Sequence, residues 1–185
     1  MNILRIILSL TLSVILASAA FSSSDLYGIK QPNLQNESIS FDAFRGKVLL
    51  IVNTASMCGF TSQLRDMQKV HDQFSGDGLV VLGFPSNDFK QEHLSATQLA
   101  QFCERNYGVK FTMFQKSHVN GPKRNPVFKY LINHSTNQRD VQWNFEKFLV
   151  NRQGEVVGRF SSGVSPSDKK LQDKIKEALA SKRQQ

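Results

Sequence analysis

The chain has 185 residues, of which 40% are hydrophobic and 21% charged, and it carries a formal net charge of +8. That length supports one domain with a sizeable core, and the composition excludes extended disorder. Two cysteines are too few for a disulfide scaffold, and the four histidines (His71, His93, His118, His134) show no metal spacing with each other or with the cysteines.

Met1 to Ala20 opens with a basic residue, Arg5, continues with an apolar stretch from Ile6 to Ala17, and ends in small residues before Phe21. This is the pattern of a secretory signal peptide. The apolar stretch is short for a membrane span, and no cysteine stands near position 20 for lipid attachment. The expectation is a cleaved signal over residues 1–20 and a single domain over 21–185, periplasmic or secreted, with no stable membrane anchor.

The polar segment from Phe21 to Phe44 reads as an entry with a short hairpin. Lys47 to Asn53 is a continuous apolar run closing on Asn53, the signature of a strand buried on both faces. Behind it, Thr61 or Ser62 offers an N-cap, and Leu64, Met67, His71 and Phe74 recur at helical spacing up to the stop Gly76-Asp-Gly78. His71 continues the apolar face of that helix. A second buried strand follows over Leu79 to Phe84. Helices are predicted over Ser95 to Tyr107, capped by Ser95 and stopped by Gly108, and over Pro126 to Asn133. Phe145–Val150 and Glu155–Phe160 bracket Asn151-Arg-Gln-Gly154 as a hairpin, and a helix from Ser167 closes the chain with Leu171, Ile175, Ala178 and Leu179 on one face. The order βαβ, helix, hairpin, helix implies two parallel strands joined by a crossover plus an antiparallel pair. The fold expected is therefore α/β and thioredoxin-like, a central mixed sheet flanked by helices.

Topology also predicts where a site would lie. In open α/β sheets, sites form outside the carboxyl ends of the parallel strands. Cys58 follows the first strand and lies beside a helix N-terminus, where unpaired N–H groups and the macrodipole favour thiolate over thiol. Pro85 to Glu92 follows the second strand, and Gln142-Trp-Asn144 precedes a strand that begins at the same edge. Gln91, Asn144 and the indole of Trp143 are uncharged donors that can stabilise a sulfur anion without adding a second titrating base, and Trp143 adds an apolar wall. Each has a plainer explanation alone: a small buried hydrophobe, loop caps, a core tryptophan. Jointly they point to a thiol site.

These residues resemble the glutathione peroxidase family. Val52-Asn-Thr-Ala-Ser-Met-Cys58-Gly-Phe-Thr61 is similar to the signature around that family's selenocysteine or cysteine. Gly83-Phe-Pro-Ser-Asn-Asp-Phe-Lys-Gln91-Glu92 is similar to its second motif, and Trp143-Asn-Phe-Glu-Lys-Phe-Leu149 to its third. Lys110 to Phe114 and Val119-Asn-Gly121 fit the region between. The resemblance implies that Cys58 is the peroxidatic residue, with Gln91, Trp143 and Asn144 as its hydrogen-bonding partners. It implies a peroxide substrate, glutathione or a thioredoxin-like reductant, and no cofactor or metal. The family carries cysteine where Ser86 stands and glutamine where Asp88 stands, and this loop is one residue shorter. Gln91 is the amide preferred over Asn87.

Some cysteine-type relatives use a second cysteine in the helix after the second motif and are recycled by thioredoxin. Cys103 falls one position short of that place, on the inward face with Leu99 and Tyr107, so it reads as packing and external glutathione as the default reductant. A short segment from Asn133 to Gln142 suggests a monomer. Two rivals remain. A thiol–disulfide oxidoreductase is disfavoured because Cys58-Gly-Phe-Thr61 lacks a second cysteine. A non-enzymatic secreted basic module that binds anionic surfaces or nucleic acid is disfavoured because the basic residues are scattered, without aromatic interleaving. Asn36-Glu-Ser38 and Asn133-His-Ser135 are glycosylation acceptors in a eukaryotic source.

Overall fold

A computed structural model describes residues 25–181. The segment expected to be a signal peptide, residues 1–20, lies outside the described residues. A short hairpin opens the described chain, β1 (Lys30–Pro32) against β2 (Ser38–Ser40). The remaining strands are β3 (Val48–Thr54), β4 (Leu79–Pro85), β5 (Thr112–Met113), β6 (Lys147–Val150) and β7 (Val156–Phe160). They form one mixed sheet in the order β5-β4-β3-β6-β7. β3, β4 and β5 run parallel, and β6 and β7 are antiparallel to their neighbours. The helices are α1 (Gln63–Phe74), α2 (Ala96–Tyr107), α3 (Pro126–Asn133) and α4 (Lys169–Ala180). This is the thioredoxin-like arrangement the element order implies. Among the described residues, no helix is long and apolar enough to cross a membrane.

The position of β3 follows from its composition. All seven of its residues are buried, and successive side chains divide between two cores. Val48, Leu50 and Val52 face α1, α2 and α4, meeting Leu64, Met67, Leu99, Leu171 and Ile175. Leu49 and Ile51 face α3 and an aromatic group of Phe41, Phe84, Phe114, Phe128 and Phe148. Burying a side chain of this size stabilises the fold by about 1.5–3 kcal/mol. A strand apolar at every position is therefore held centrally, and its carboxyl end becomes a fixed platform.

Three details differ from the sequence expectation. β5 is an additional parallel strand, and two residues carry no period from which to read it. β6 begins at Lys147 rather than Phe145, because Phe145 takes a left-handed backbone with φ of 63°. Ser62 occupies the α1 cap position in helical backbone without a side-chain bond to the helix. The Thr61 hydroxyl, the other expected cap, is committed to the preceding loop. Ser95 behaves as expected, forming a capping box with Gln98, and Gly108 closes α2 at a φ of 67°.

Candidate active site

The loop from Ala55 to Ser62 leaves the end of β3 and carries Cys58, which is 8% exposed. Thr61 organises this loop. Its Oγ1 accepts from the Cys58 N–H at 3.0 Å and lies 2.7 Å from the Cys58 carbonyl and 2.9 Å from that of Ala55. The turn also brings the Phe60 N–H to 3.5 Å from the Cys58 sulfur, a backbone donor that needs no charged partner.

The second loop, after β4, is joined to the first through its own backbone and through Glu92. The Met57 N–H donates to the Gln91 carbonyl at 3.0 Å. The Glu92 carboxylate is fully buried and accepts from the Ser56 N–H at 2.8 Å, the Ser56 hydroxyl at 2.9 Å and the Leu94 N–H at 3.1 Å. A buried carboxylate is tolerated only with such partners, and here they tie it to a residue two positions from Cys58. Sequence reasoning missed this role. The available signal was an acidic residue within a motif whose neighbours were assigned as ligands of the thiol.

The third segment is fixed by Asn53, the polar residue that closes the apolar run. Asn53 Nδ2 donates to the Trp143 carbonyl at 3.0 Å, its Oδ1 accepts from the Glu146 N–H at 2.9 Å, and its carbonyl accepts from the Phe145 N–H at 2.7 Å. These bonds hold Phe145 in a backbone region that costs a bulky residue about 1–3 kcal/mol. The bend at Phe145 places the Asn144 amide beside the second loop, where its Nδ2 donates to Gln91 Oε1 at 2.8 Å. Asn144 is fully buried, and its Oδ1 has no hydrogen-bond partner. Trp143 is no core residue: it is 42% exposed, with its ring 5.2 Å from that of Phe89.

The structure thus brings the loops of Cys58, Gln91 and Trp143-Asn144 to one edge of the sheet, as strand direction requires. Gln91 and Asn144 meet each other through their side chains, and the sulfur's hydrogen bond comes from backbone. Cys103 belongs to the same apolar core as Cys58 but sits on α2, 2% exposed, and both thiols are free. Burial, with the Glu92 carboxylate adding to it, pushes the Cys103 thiol up to about 12. Among the described residues, no cluster of three histidine, cysteine or acidic side chains could hold a metal ion.

Known proteins resemble the chain over most of its length. A family model described as glutathione peroxidase matches residues 26–132. A glutathione peroxidase homolog of Bacillus subtilis, BsaA, is 44% identical over 158 residues, covering 83% of this chain and 98% of the relative. A hydroperoxy fatty acid reductase of Synechocystis is 42% identical over 158 residues, covering 80% and 94%. The crystal structure of Trgpx in apo form superposes with a TM-score of 0.67 at 35% identity, covering 84% of this chain and 95% of that one. A thioredoxin-family thiol:disulfide interchange protein from Chlorobium tepidum, at 15% identity and a TM-score of 0.63 over 82% and 93% of the two chains, shares the fold alone. With the family model spanning more than half the chain and relatives matching nearly end to end, the chain belongs to the glutathione peroxidase family.

Proposed function

We propose that the protein reduces hydrogen peroxide or organic hydroperoxides at Cys58, with glutathione or another thiol as co-substrate and no prosthetic group. The Cys58 thiolate attacks one peroxide oxygen. A sulfur–oxygen bond forms, the oxygen–oxygen bond breaks, and the second oxygen departs as water or alcohol after taking a proton. An external thiol then attacks the sulfenic acid, forming a mixed disulfide and releasing water. A second thiol displaces Cys58 and completes the disulfide product. Gln91, Trp143 and Asn144 act as neutral hydrogen-bonding groups around the reacting sulfur, adding no competing base.

The observation that carries this reading is the convergence of three separate loops on the carboxyl edge of β3 and β4, with Gln91 and Asn144 bonded to each other beside the Cys58 loop. The burial and raised pKa of Cys103 support a packing role, which leaves an external thiol as reductant. Steady-state peroxide reduction with glutathione and thioredoxin in parallel tests the proposal. Cys58→Ser is expected to lower turnover by about a thousandfold or more, and Cys103→Ser to stay within about twofold of the parent. A Cys58–Cys103 bridge in the oxidised protein, mapped by peptide mass, would instead assign Cys103 the resolving role.

The protein acts as an exported monomer, in a periplasm or secreted, after loss of residues 1–20. The basic start, short apolar stretch and small residues before Phe21 support export. N-terminal sequencing of protein recovered outside the cytoplasm is expected to begin at Phe21, and light scattering to give one chain's mass.

A further inference from the structure

One carboxylate beside the site is left without a part in the chemistry above. Asp88 stands on the loop after β4, three residues before Gln91, and its side chain is 14% exposed. Its Oδ1 lies 2.6 Å from His118 Nδ1, and its Oδ2 accepts from the N–H groups of Val119 at 2.7 Å and Asn120 at 3.0 Å. Asn120 then pairs with the backbone of Val141: Nδ2 donates to the Val141 carbonyl at 2.7 Å, and Oδ1 accepts from the Val141 N–H at 3.0 Å. Two residues further on is Trp143.

These bonds form a closed arch. It runs from the Gln91 loop through Asp88 to residues 118–120, through Asn120 to Val141, and along the chain to Trp143 and Asn144. It closes back on the starting loop twice, through the Asn144–Gln91 amide bond and the Phe89–Trp143 ring contact. Asp88 joins the first two segments through its side chain, beside the bonds from the Ser117 N–H to the Pro85 carbonyl at 3.0 Å and from Lys116 Nζ to the Glu92 carbonyl at 3.3 Å. Partial burial would raise its pKa, but the bonds from His118, Val119 and Asn120 outweigh that and hold the carboxyl below its usual range. The carboxylate offers an accepting oxygen on each side, Oδ1 to His118 and Oδ2 to the two backbone N–H groups, and an amide would keep only one of them.

We propose that Asp88 is a positioning residue for the peroxide-reducing step, setting where Gln91, Trp143 and Asn144 stand around Cys58. The inference rests on Cys58 being the peroxidatic residue. Asp88 touches no reacting atom; it acts through the loops it joins.

Separate measurement of the two half-reactions tests this, together with the emission of Trp143, the single tryptophan of the chain. Asp88→Ala is expected to slow oxidation of Cys58 by hydrogen peroxide about tenfold or more while leaving reduction by glutathione within about threefold, because only the first step needs the arch in register. Its Trp143 emission in the resting protein should shift to the red. Asp88→Asn, which keeps one accepting oxygen, should fall between parent and Asp88→Ala in both readings. His118→Gln, which keeps both backbone bonds, should slow oxidation by about threefold or less. Oxidation by Asp88→Ala within about twofold of the parent, with emission unchanged, would overturn the proposal. So would equal losses in both half-reactions without an emission change, the mark of general weakening. If Asp88→Ala fails to fold, Asp88→Asn and His118→Gln carry the test, and parent-like behaviour by both overturns it. An inactive parent would remove the peroxidase reading and this inference with it, a result distinguishable because the parent itself shows it.

Discussion

Lys147 is a residue whose chemistry departs far from its usual range. It is fully buried, one residue past a partner-rich neighbour, with its ammonium 3.0 Å from the Ser162 carbonyl. Burial pulls its pKa down to about 7, against the opposing attraction of Asp168 and Glu146. Glu146 is already paired with Arg159 at 2.6 Å, and the Ser162 carbonyl also accepts from Gln63 Nε2 at 2.8 Å, so neither depends on the lysine. Between about 7 and the ordinary lysine value of 10.5 the unfolded chain holds the proton and the folded chain does not, so stability rises with pH across that window. Lys147→Met is therefore expected to stabilise the protein by about 1–4 kcal/mol below pH 7, with a gain that fades as pH climbs through the window. Chemical denaturation of both proteins at several pH values measures it. A gain that grew with pH would reverse the sign of the argument.

At the scale of elements, the connection between β6 and β7 shows how turn chemistry sets register. The Asn151 side chain accepts from the N–H groups of Gln153 and Glu155, and Gly154 turns back at a φ of 89°. A Cβ at Gly154 would meet the Tyr27 ring at 3.0 Å as well as strain the backbone. Gly154→Ala is expected to cost about 1–2 kcal/mol, read as a lower urea midpoint at unchanged slope. The hairpin was legible in the sequence because Asn and Gly at those offsets are the residues such turns require. The α2 boundaries were legible for the same reason, since Ser95 and Gly108 are local signals. The start of α1 was legible in place, since Ser62 holds the cap position, but its bonding was not. Thr61 is a good capping residue by type, yet its hydroxyl is drawn to the Cys58 and Ala55 carbonyls, which only the folded loop supplies.

At the scale of the whole molecule, the two cysteines share one core but not one environment. Cys58 stands on a loop at its rim, and Cys103 on the inward face of α2. With its thiol raised to about 12 and shielded by packing, Cys103 should resist iodoacetamide in the native protein at pH 8 and react once the protein is unfolded. Counting labelled thiols with and without denaturant checks this, and two labels under native conditions would contradict it. Apart from β5, the sequence alone was enough for the order of elements, the central place of β3, and the identity of Cys58, Gln91, Trp143 and Asn144 as residues brought to one edge. Apolar runs, caps and strand direction are local properties, and topology follows from them. Tertiary structure decided which groups actually meet: Glu92 on the Cys58 loop, Asn53 on the Trp143 segment, Asp88 on residues 118–120, and the exposure of Trp143. Each joins residues distant along the chain through a single polar side chain, and such a bond leaves no period or local signature from which to read it.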